Sequence, residues 1–279
     1  MATGASQLGV ALRRARWSAR SHAAGYGVYL PLARLRHRHR VIGAETEVVI
    51  EGFTRSACVF AAVAFQQAQP RPVRLAHLVH APAQLIAAAE RGVPSLVTVR
   101  EPEAAVVSCL RREPYLAPGQ VLAAWTRFYA RLMPWRDAMV VGEFSRVTTD
   151  LGGLIAEMNA RFKTSFTPFQ STPENVRRVF GFIDERASRP PWEEHIGLFM
   201  SGLEDAGRLD EARRAGSDQP GRAHSVPFEH RVARPSPERE AAKSVLIERY
   251  RSPSLASARR RADELFAAFT ASTASTAAR

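Results

Sequence analysis

The chain has 279 residues, of which 46% are hydrophobic and 24% charged. These are the proportions of a globular protein that is long enough to bury a full core. The formal net charge of +12 favours an anionic partner. The cations are nearly all arginine, with lysine only at positions 163 and 243, and alanine is abundant, which indicates a coding bias. Aromatic residues are not interleaved with the basic ones as they are in single-strand binders, so we do not expect a nucleic-acid partner.

The cysteine content and the apolar runs narrow the choice of compartment. Cys58 and Cys109 are too few for a disulfide framework or a four-ligand zinc site. No apolar run reaches the roughly 18–20 residues of a membrane-spanning helix, and no signal-peptide pattern opens the sequence. We therefore expect a cytoplasmic protein with no membrane span.

The first 46 residues form a basic extension without a strict apolar period. This extension is either a helical segment packed on the domain or a loosely ordered arm. From residue 47, apolar runs of strand length alternate with helix-forming segments. The predicted strands are 47–52, 72–80, 95–100 and 138–144, and the predicted helices are 56–69, 82–91, 102–112, 118–134 and 145–162. The alternation predicts a central parallel sheet covered on both faces, a three-layer α/β/α fold, with ligands beyond the carboxyl ends of the strands.

The remaining sequence is mainly helical, with a loop-rich segment between helices. One amphipathic helix is predicted over 173–188, and a further short helix within the Pro-, Gly- and Ser-rich loops of 189–240. Residues 238–269 are expected to be helical in two pieces, because Pro253 interrupts them. We divide the chain into the extension 1–46, an α/β domain 47–200, and a C-terminal loop and helices, 201–279, that complete the same domain.

The turn after the first strand is a candidate anion site. The residues Gly52, Phe53, Thr54, Arg55 and Ser56 lie between a buried strand and a helix of good helix formers. Backbone N–H groups at such a helix start hold anions, and a basic side chain in the turn strengthens that interpretation. The alternative is an ordinary strand–helix connection with a surface arginine, since the Walker pattern GxxxxGK[ST] is absent.

Two further strand ends carry chemistry-bearing side chains. His77 and His80 stand three residues apart in an extended segment, so they cannot point to the same side. Arg100 closes the third strand, and Ser108 follows eight residues later in a helix, so both could reach one anion. The alternatives are a structural histidine, an arginine paired with surface carboxylates and an ordinary helical serine.

Together, three segments resemble the motifs of the 3′-phosphoadenosine-5′-phosphosulfate (PAPS)-dependent sulfotransferases. GFTRSACVF resembles the loop that binds the 5′-phosphosulfate, and HAP at 80–82 resembles the His-x-Pro that carries the catalytic base. REPEAAVVS is similar to the 3′-phosphate motif, in which an Arg and a Ser stand eight apart. With the following helix–strand–helix, the resemblance covers roughly residues 47–169.

This resemblance implies a P-loop nucleoside triphosphate hydrolase-like fold and sulfuryl transfer from PAPS, without a metal, to a hydroxyl or amine of a small-molecule or glycan acceptor. His80 would be the general base, at an ordinary histidine pKa of about 6.5, and Arg55 would stabilise the leaving phosphate. The implied nucleotide-binding residues are Arg55, Ser56, Ala57, Cys58, Val59, Arg100, Ser108 and, from a C-terminal basic loop, Arg231 and Arg234. The acceptor pocket would be built from the variable segments 20–46, 112–120 and 189–237.

The phosphosulfate loop departs from the family pattern at three positions. Ala57 replaces the usual glycine, and Cys58 and Val59 replace a pair of hydroxyl residues. A methyl at position 57 is acceptable if that residue has a negative φ, as at a helix start. Cys58 is either a reactive thiol with a lowered pKa at a helix N-terminus or a space-filling side chain. These departures leave open that the chain is a non-catalytic relative of the family. The other alternative is a small-molecule phosphotransferase of the same fold, which should show a GK[ST] loop and a Mg²⁺-binding acid, and neither is evident.

Overall fold

The computed structural model describes residues 4–36, 38–187, 199–202 and 237–271. Two helices precede the sheet, α1 (Gly4–Ala23) and α2 (Tyr29–Arg36). The strands are β1 (Val48–Gly52), β2 (Leu75–His77), β3 (Ser95–Val99) and β4 (Val140–Glu143). The helices between and after them are α3 (Cys58–Ala68), α4 (Pro82–Glu90), α5 (Pro102–Arg112), α6 (Pro118–Leu132), α7 (Phe144–Thr149), α8 (Leu151–Phe162) and α9 (Pro173–Ala187). Two more helices close the described chain, α10 (Pro237–Tyr250) and α11 (Ala256–Thr270).

The four strands form one parallel sheet in the order β2-β1-β3-β4. Ile50 at the centre of β1 lies opposite His77 on one side and Leu96 on the other. All residues of β1 and β3 are buried, as expected for inner strands of a parallel sheet that is covered on both faces. The predicted α/β/α layering is confirmed at this level.

Successive side chains along β1 point to opposite faces of the sheet and pack into two separate hydrophobic cores. Val49 packs with α4, α5, α6 and α11, in a layer that includes Trp125 and Phe269. Val48 and Ile50 pack on the opposite face, with α3, α8 and α9. Because side chains of a strand alternate between the two faces, one strand packs against helices on both sides of the sheet.

The path of the chain creates a crevice between β1 and β3. From β1 the chain turns into α3, which lies on one face, and then enters the neighbouring strand β2. From β3 it turns into α5, which lies on the other face. Because these adjacent strands send their helices to opposite faces, their carboxyl ends form the topological switch point of the sheet, and this is where open α/β sheets bind ligands.

Local sequence signals explain most helix boundaries. Pro82, Pro102 and Pro118 each occupy the first helical position, where the missing N–H has no partner to lose. Asp150 caps α8 by accepting a hydrogen bond from the Gly153 amide, and this cap divides the single helix that we predicted over 145–162.

The other differences from the predicted elements are small. The strand predicted over 72–80 is limited to β2, because Leu78 and His80 adopt left-handed backbone conformations with φ of 52°. The basic extension is helical in α1 and α2, which decides between the two alternatives for that segment. The predicted break at Pro253 is confirmed, and α11 packs on α6 while α10 packs on α5. The helix predicted between 189 and 240 lies mostly outside the described residues.

Within the part of the chain that the structure describes, no helix is both long and apolar enough to cross a bilayer.

Candidate functional site

The loop between β1 and α3 lies at the crevice and has an unusual backbone. Arg55 and Ala57 both adopt left-handed conformations, with φ of 71° and 72°. The negative φ that would make a methyl group acceptable at position 57 is therefore not found, and Ala57 adopts a conformation that costs an L-residue roughly 1–2 kcal/mol. Alternating backbone conformations of this kind form concave nests of N–H groups that bind anions, and the α3 N-terminus adds its own amides.

Gly52 allows the loop to approach β3 closely. A Cβ atom at this position would overlap the carbonyl and hydroxyl oxygens of Thr98 and lie 2.7 Å from the Ser56 hydroxyl. Only glycine fits where the end of β1 meets that of β3, so the start of the loop is fixed by the sheet itself.

The hydroxyl and thiol groups of the loop point into the protein. Ser56 is buried, and its hydroxyl donates to the Phe53 carbonyl at 2.6 Å and lies 2.8 Å from the Thr98 hydroxyl. The Cys58 thiol lies 3.1 Å from the same Thr98 hydroxyl, and burial raises the pKa of this thiol to about 12. Of the two interpretations of Cys58, the structure thus favours the space-filling one. Neither side chain faces the crevice, so a ligand would meet the loop through its backbone and Arg55.

Tyr129 connects this loop to the sheet. Its hydroxyl donates to the Thr98 carbonyl at 2.9 Å and accepts from the Phe53 amide at 3.3 Å. We predicted Tyr129 only as a core residue of α6. It is fully buried, and its polar end also holds the loop against β3, since a buried tyrosine hydroxyl requires hydrogen-bond partners.

Residues from three separate segments meet beside the loop. The Arg55 Nε donates to the Ser108 hydroxyl at 3.0 Å, and an Arg100 Nη donates to the Arg55 carbonyl at 3.2 Å. The Arg100 guanidinium also stacks on the Phe144 ring, 4.0 Å from its centroid, which fixes its orientation. The residues of the first and third motifs, far apart in sequence, thus form one cluster.

This cluster carries concentrated positive charge. Burial lowers the pKa of Arg55 to about 10, and the charges of Arg112, Arg100 and Arg111 act in the same direction. Burial also lowers the pKa of Arg100. Among the described residues, no carboxylate forms an ion pair with Arg55 or Arg100. Two partly desolvated guanidinium groups that form no ion pair with a described carboxylate favour an anionic ligand.

His80 lies across the loop from this cluster, with a defined tautomer. Its Nδ1 lies 2.9 Å from the Gly52 carbonyl oxygen. A carbonyl oxygen can only accept, so Nδ1 carries the proton and Nε2 keeps its lone pair. Burial lowers the pKa of His80 to about 4, well below the ordinary value that we expected. Three nearby guanidinium groups add to this effect, those of Arg20, Arg112 and Arg40.

Glu51 holds the segment that carries His80. It is fully buried, and its carboxylate accepts hydrogen bonds from the amides of Gly52, Val79 and His80. The side-chain amide of Gln84 donates to it as well, at 3.2 Å. Burial raises the pKa of Glu51 to about 8, although these N–H donors favour the carboxylate. The left-handed turn at His80 is thus anchored by a side chain of the neighbouring strand.

Glu51, Cys58 and His80 form a group whose candidate ligand atoms lie within 4.8 Å of one another. A metal ion there would have to displace the N–H donors of Glu51 and deprotonate a thiol that burial keeps neutral. The donor set therefore fits a hydrogen-bonding network better than a metal site.

His77 ends β2, and the left-handed conformations of Leu78 and His80 mean that the two histidines do not share the extended segment on which their opposite orientation was predicted. His77 is fully buried in β2, and its Nε2 lies 3.0 Å from the Ser201 hydroxyl.

A cavity of about 320 Å³ opens next to His80. It is bounded by α1, the loop after β1, the end of α5 and the middle of α6. Its lining includes Trp17, Arg20, Arg40, Phe53, Thr54, His80, Arg112, Glu113, Tyr115 and Phe128. The basic extension therefore forms one wall of the cavity, which has a size suited to a small molecule.

Two residues of the candidate site were not predicted from the sequence, Glu51 and Tyr129. A signal existed for Glu51, an acid inside an otherwise apolar strand, but none for the loop contact of Tyr129, which depends on how α6 packs. Arg20 and Arg112 lie in the segments 20–46 and 112–120 that we assigned to an acceptor pocket, although neither residue was singled out there. The predicted Arg231 and Arg234 lie outside the described residues.

Comparisons with protein-family models, with curated proteins and with solved structures find no match to this chain.

Proposed function

We propose that this chain is a P-loop-type, PAPS-dependent sulfotransferase that acts on a hydroxyl or amine of a small acceptor. The observation that carries this proposal is the contact of Arg55 with Ser108 and of Arg100 with the Arg55 backbone. Two segments that resemble the nucleotide-binding motifs of one family, far apart in sequence, are in contact at the topological switch point of the sheet, where ligands of such folds bind.

The proposed donor site has two parts. The backbone nest of the loop, the α3 N-terminus and the Arg55 guanidinium would hold the 5′-phosphosulfate. Arg100 and Ser108 would hold the 3′-phosphate, the group that distinguishes PAPS from other adenine nucleotides. The substituted loop positions do not prevent this arrangement, because backbone amides and an arginine are sufficient to bind an oxyanion.

The donor supplies an activated sulfuryl group, and the residues supply base and electrostatic catalysis. His80 Nε2 accepts the proton of the attacking hydroxyl as the new oxygen–sulfur bond forms. The bond between sulfur and the 5′-phosphate oxygen breaks, and its electron pair leaves with that oxygen. Arg55 and the amides at the start of α3 stabilise the developing negative charge.

Nucleotide selectivity tests the proposal. 3′-Phosphoadenosine-5′-phosphate should raise the melting temperature, since a ligand at a hundredfold over its Kd adds about 2.7 kcal/mol of stability. For a domain of this size that is roughly 5–10 °C. Adenosine 5′-monophosphate, which lacks the 3′-phosphate, should give a smaller shift, and ATP with Mg²⁺ none.

Two variants locate the effect. Replacement of Ser108 and Arg100 by alanine should remove most of the advantage of the 3′-phosphate, while alanine at the exposed Arg127 of α6 should not. His80→Ala should abolish transfer from labelled PAPS and leave binding of the bisphosphate within about twofold. Absence of any shift with the bisphosphate would refute the proposal, and a shift with ATP and Mg²⁺ alone would favour the phosphotransferase.

A further inference from the structure

The cavity beside His80 is lined by cations. Arg20, Arg40 and Arg112 face it, and Glu113 is the single carboxylate among its lining residues. Arg112 Nε lies 3.9 Å from a Glu113 oxygen, so that part of the cavity is internally balanced. Arg20 forms no such ion pair with a carboxylate in the described part of the chain.

These charges act on the place where the reaction would occur. Arg20, Arg112 and Arg40 all disfavour protonation of His80, which means that their positive charge reaches its imidazole. A neutral acceptor bound beside His80 would leave the charge of Arg20 without a described carboxylate partner. An acceptor with an anionic group would neutralise it and would remove an obstacle to proton transfer onto Nε2.

Arg20 is positioned to bind an anionic group in the cavity. It projects from α1, and its Nε donates to the Tyr29 hydroxyl at 3.2 Å. This bond occupies Nε, and the two terminal nitrogens form no hydrogen bond with another described residue. They can therefore bind a carboxylate or phosphate, which a guanidinium holds most strongly through paired N–H donors.

The remaining walls suit a flat organic body. The rings of Trp17, Phe53, Tyr115 and Phe128 contribute to the lining. The volume of about 320 Å³ lies at the lower end of the range for small-molecule sites. Arg55, Arg100 and Ser108 of the proposed donor site are not part of this lining, but Thr54 and Val59 of the same loop are, so the cavity borders the proposed donor site at the loop.

We infer that the acceptor is a small hydroxyl compound that carries an anionic group, which Arg20 binds while the hydroxyl meets Nε2 of His80. This inference rests on the proposed function for the chemistry, but the anion site itself does not depend on it. It assigns α1, and with it the basic extension, a direct role in acceptor selection.

Matched pairs of acids and amides test the inference. Hydroxybenzoates and hydroxyphenylacetates would be compared with their neutral amides, by calorimetric binding without nucleotide and by transfer from labelled PAPS. Wild type should favour each acid over its amide by about tenfold or more, the size of one charge-assisted contact. Arg20→Ala should reduce that preference to within about threefold, leave the amides unchanged and leave binding of the bisphosphate nucleotide unchanged.

Arg16 provides the matched control, because it is an exposed arginine one turn earlier on the same helix and is not part of the cavity lining. Arg16→Ala should keep the preference for acids. Equal binding of acids and amides by wild type, no binding of any acid at millimolar concentration, or an Arg20→Ala variant that weakens the nucleotide would overturn the inference. If acids bind and the bisphosphate does not, the sulfotransferase proposal fails and the anion site remains; the reverse result removes the anionic acceptor and keeps the sulfotransferase.

Discussion

Ala57 offers a quantitative test of the loop conformation. Its φ of 72° places an L-residue in the left-handed region at the N-cap of α3, and glycine would relieve that strain. We expect Ala57→Gly to stabilise the protein, although glycine in a helix normally destabilises it. Because the expected change in stability is opposite to the usual effect of glycine, Ala57→Gly tests the left-handed conformation of the loop directly.

The magnitude follows from two opposing terms. The left-handed conformation costs alanine roughly 1–2 kcal/mol. Glycine makes the unfolded chain more flexible than alanine does, and this entropy reduces the stabilisation by about 0.4–1 kcal/mol. The net stabilisation should be about 0.5–1 kcal/mol, or a rise in melting temperature of roughly 1–4 °C for a domain of this size.

Chemical denaturation and thermal melting would measure this difference, with Ala64→Gly as the matched control. Ala64 is buried in the middle of α3, where glycine should lose about 1 kcal/mol through helix propensity and more through the missing methyl group. The two variants should therefore shift in opposite directions, and the bisphosphate nucleotide should bind Ala57→Gly at least as well as wild type, because the nest keeps its shape. If Ala57→Gly lost as much stability as Ala64→Gly, the left-handed conformation and the nest built on it would be wrong.

Two further predictions concern the network behind His80. Glu51→Gln should cost about 1–3 kcal/mol of unfolding free energy, because even with its oxygen in the best position the amide nitrogen would face an N–H donor. The control Glu101→Gln, at an exposed position, should change the unfolding free energy by under about 0.5 kcal/mol. Equal effects of the two substitutions would contradict the network. The folded-state pKa of His80, about 4, lies below its ordinary 6.5, so the unfolded state binds more protons in that window and stability should fall as the pH drops from 6.5 to 4. Denaturation of wild type and His80→Asn across this window should show a difference that narrows by about 2–3 kcal/mol towards the acid end, and a constant difference would mean that His80 is not held neutral.

The fold was largely predictable because its signals are local. Apolar runs of strand length, prolines at the first helical position and the interruption at Pro253 act within a few residues, and they define most elements. The strand order and the crevice between β1 and β3 are tertiary properties that periodicity does not contain. The early end of β2 was missed since the left-handed turn at Leu78 and His80 is held by Glu51, a residue of another strand.

Some features of the candidate site were likewise predictable from the sequence, and others depend on tertiary packing. Arg100 precedes α5 and Ser108 lies within it, a short separation that allowed a prediction that both reach one place, and the structure adds Arg55 as the residue that both contact. The inward orientation of Ser56 was not predictable, because it depends on a hydroxyl of β3 and on the absence of a side chain at Gly52. The cavity wall formed by Arg20 depends on the packing of an extension whose sequence has no clear period.

The arginines that make the candidate site positive also help to lower the pKa of His80. A histidine with a pKa of about 4 is a poor base at neutral pH, yet the tautomer and position of His80 suit a base. Burial is a fixed part of this effect, whereas the arginine charges are not, since anions bound in the crevice and in the cavity would neutralise them. Each anionic substrate should therefore raise the basicity of Nε2, and both together should raise it most. If the proposed sulfotransferase activity holds, His80 would be a weak base in the ligand-free site, and proton transfer to it would become favourable only when donor and acceptor are both bound.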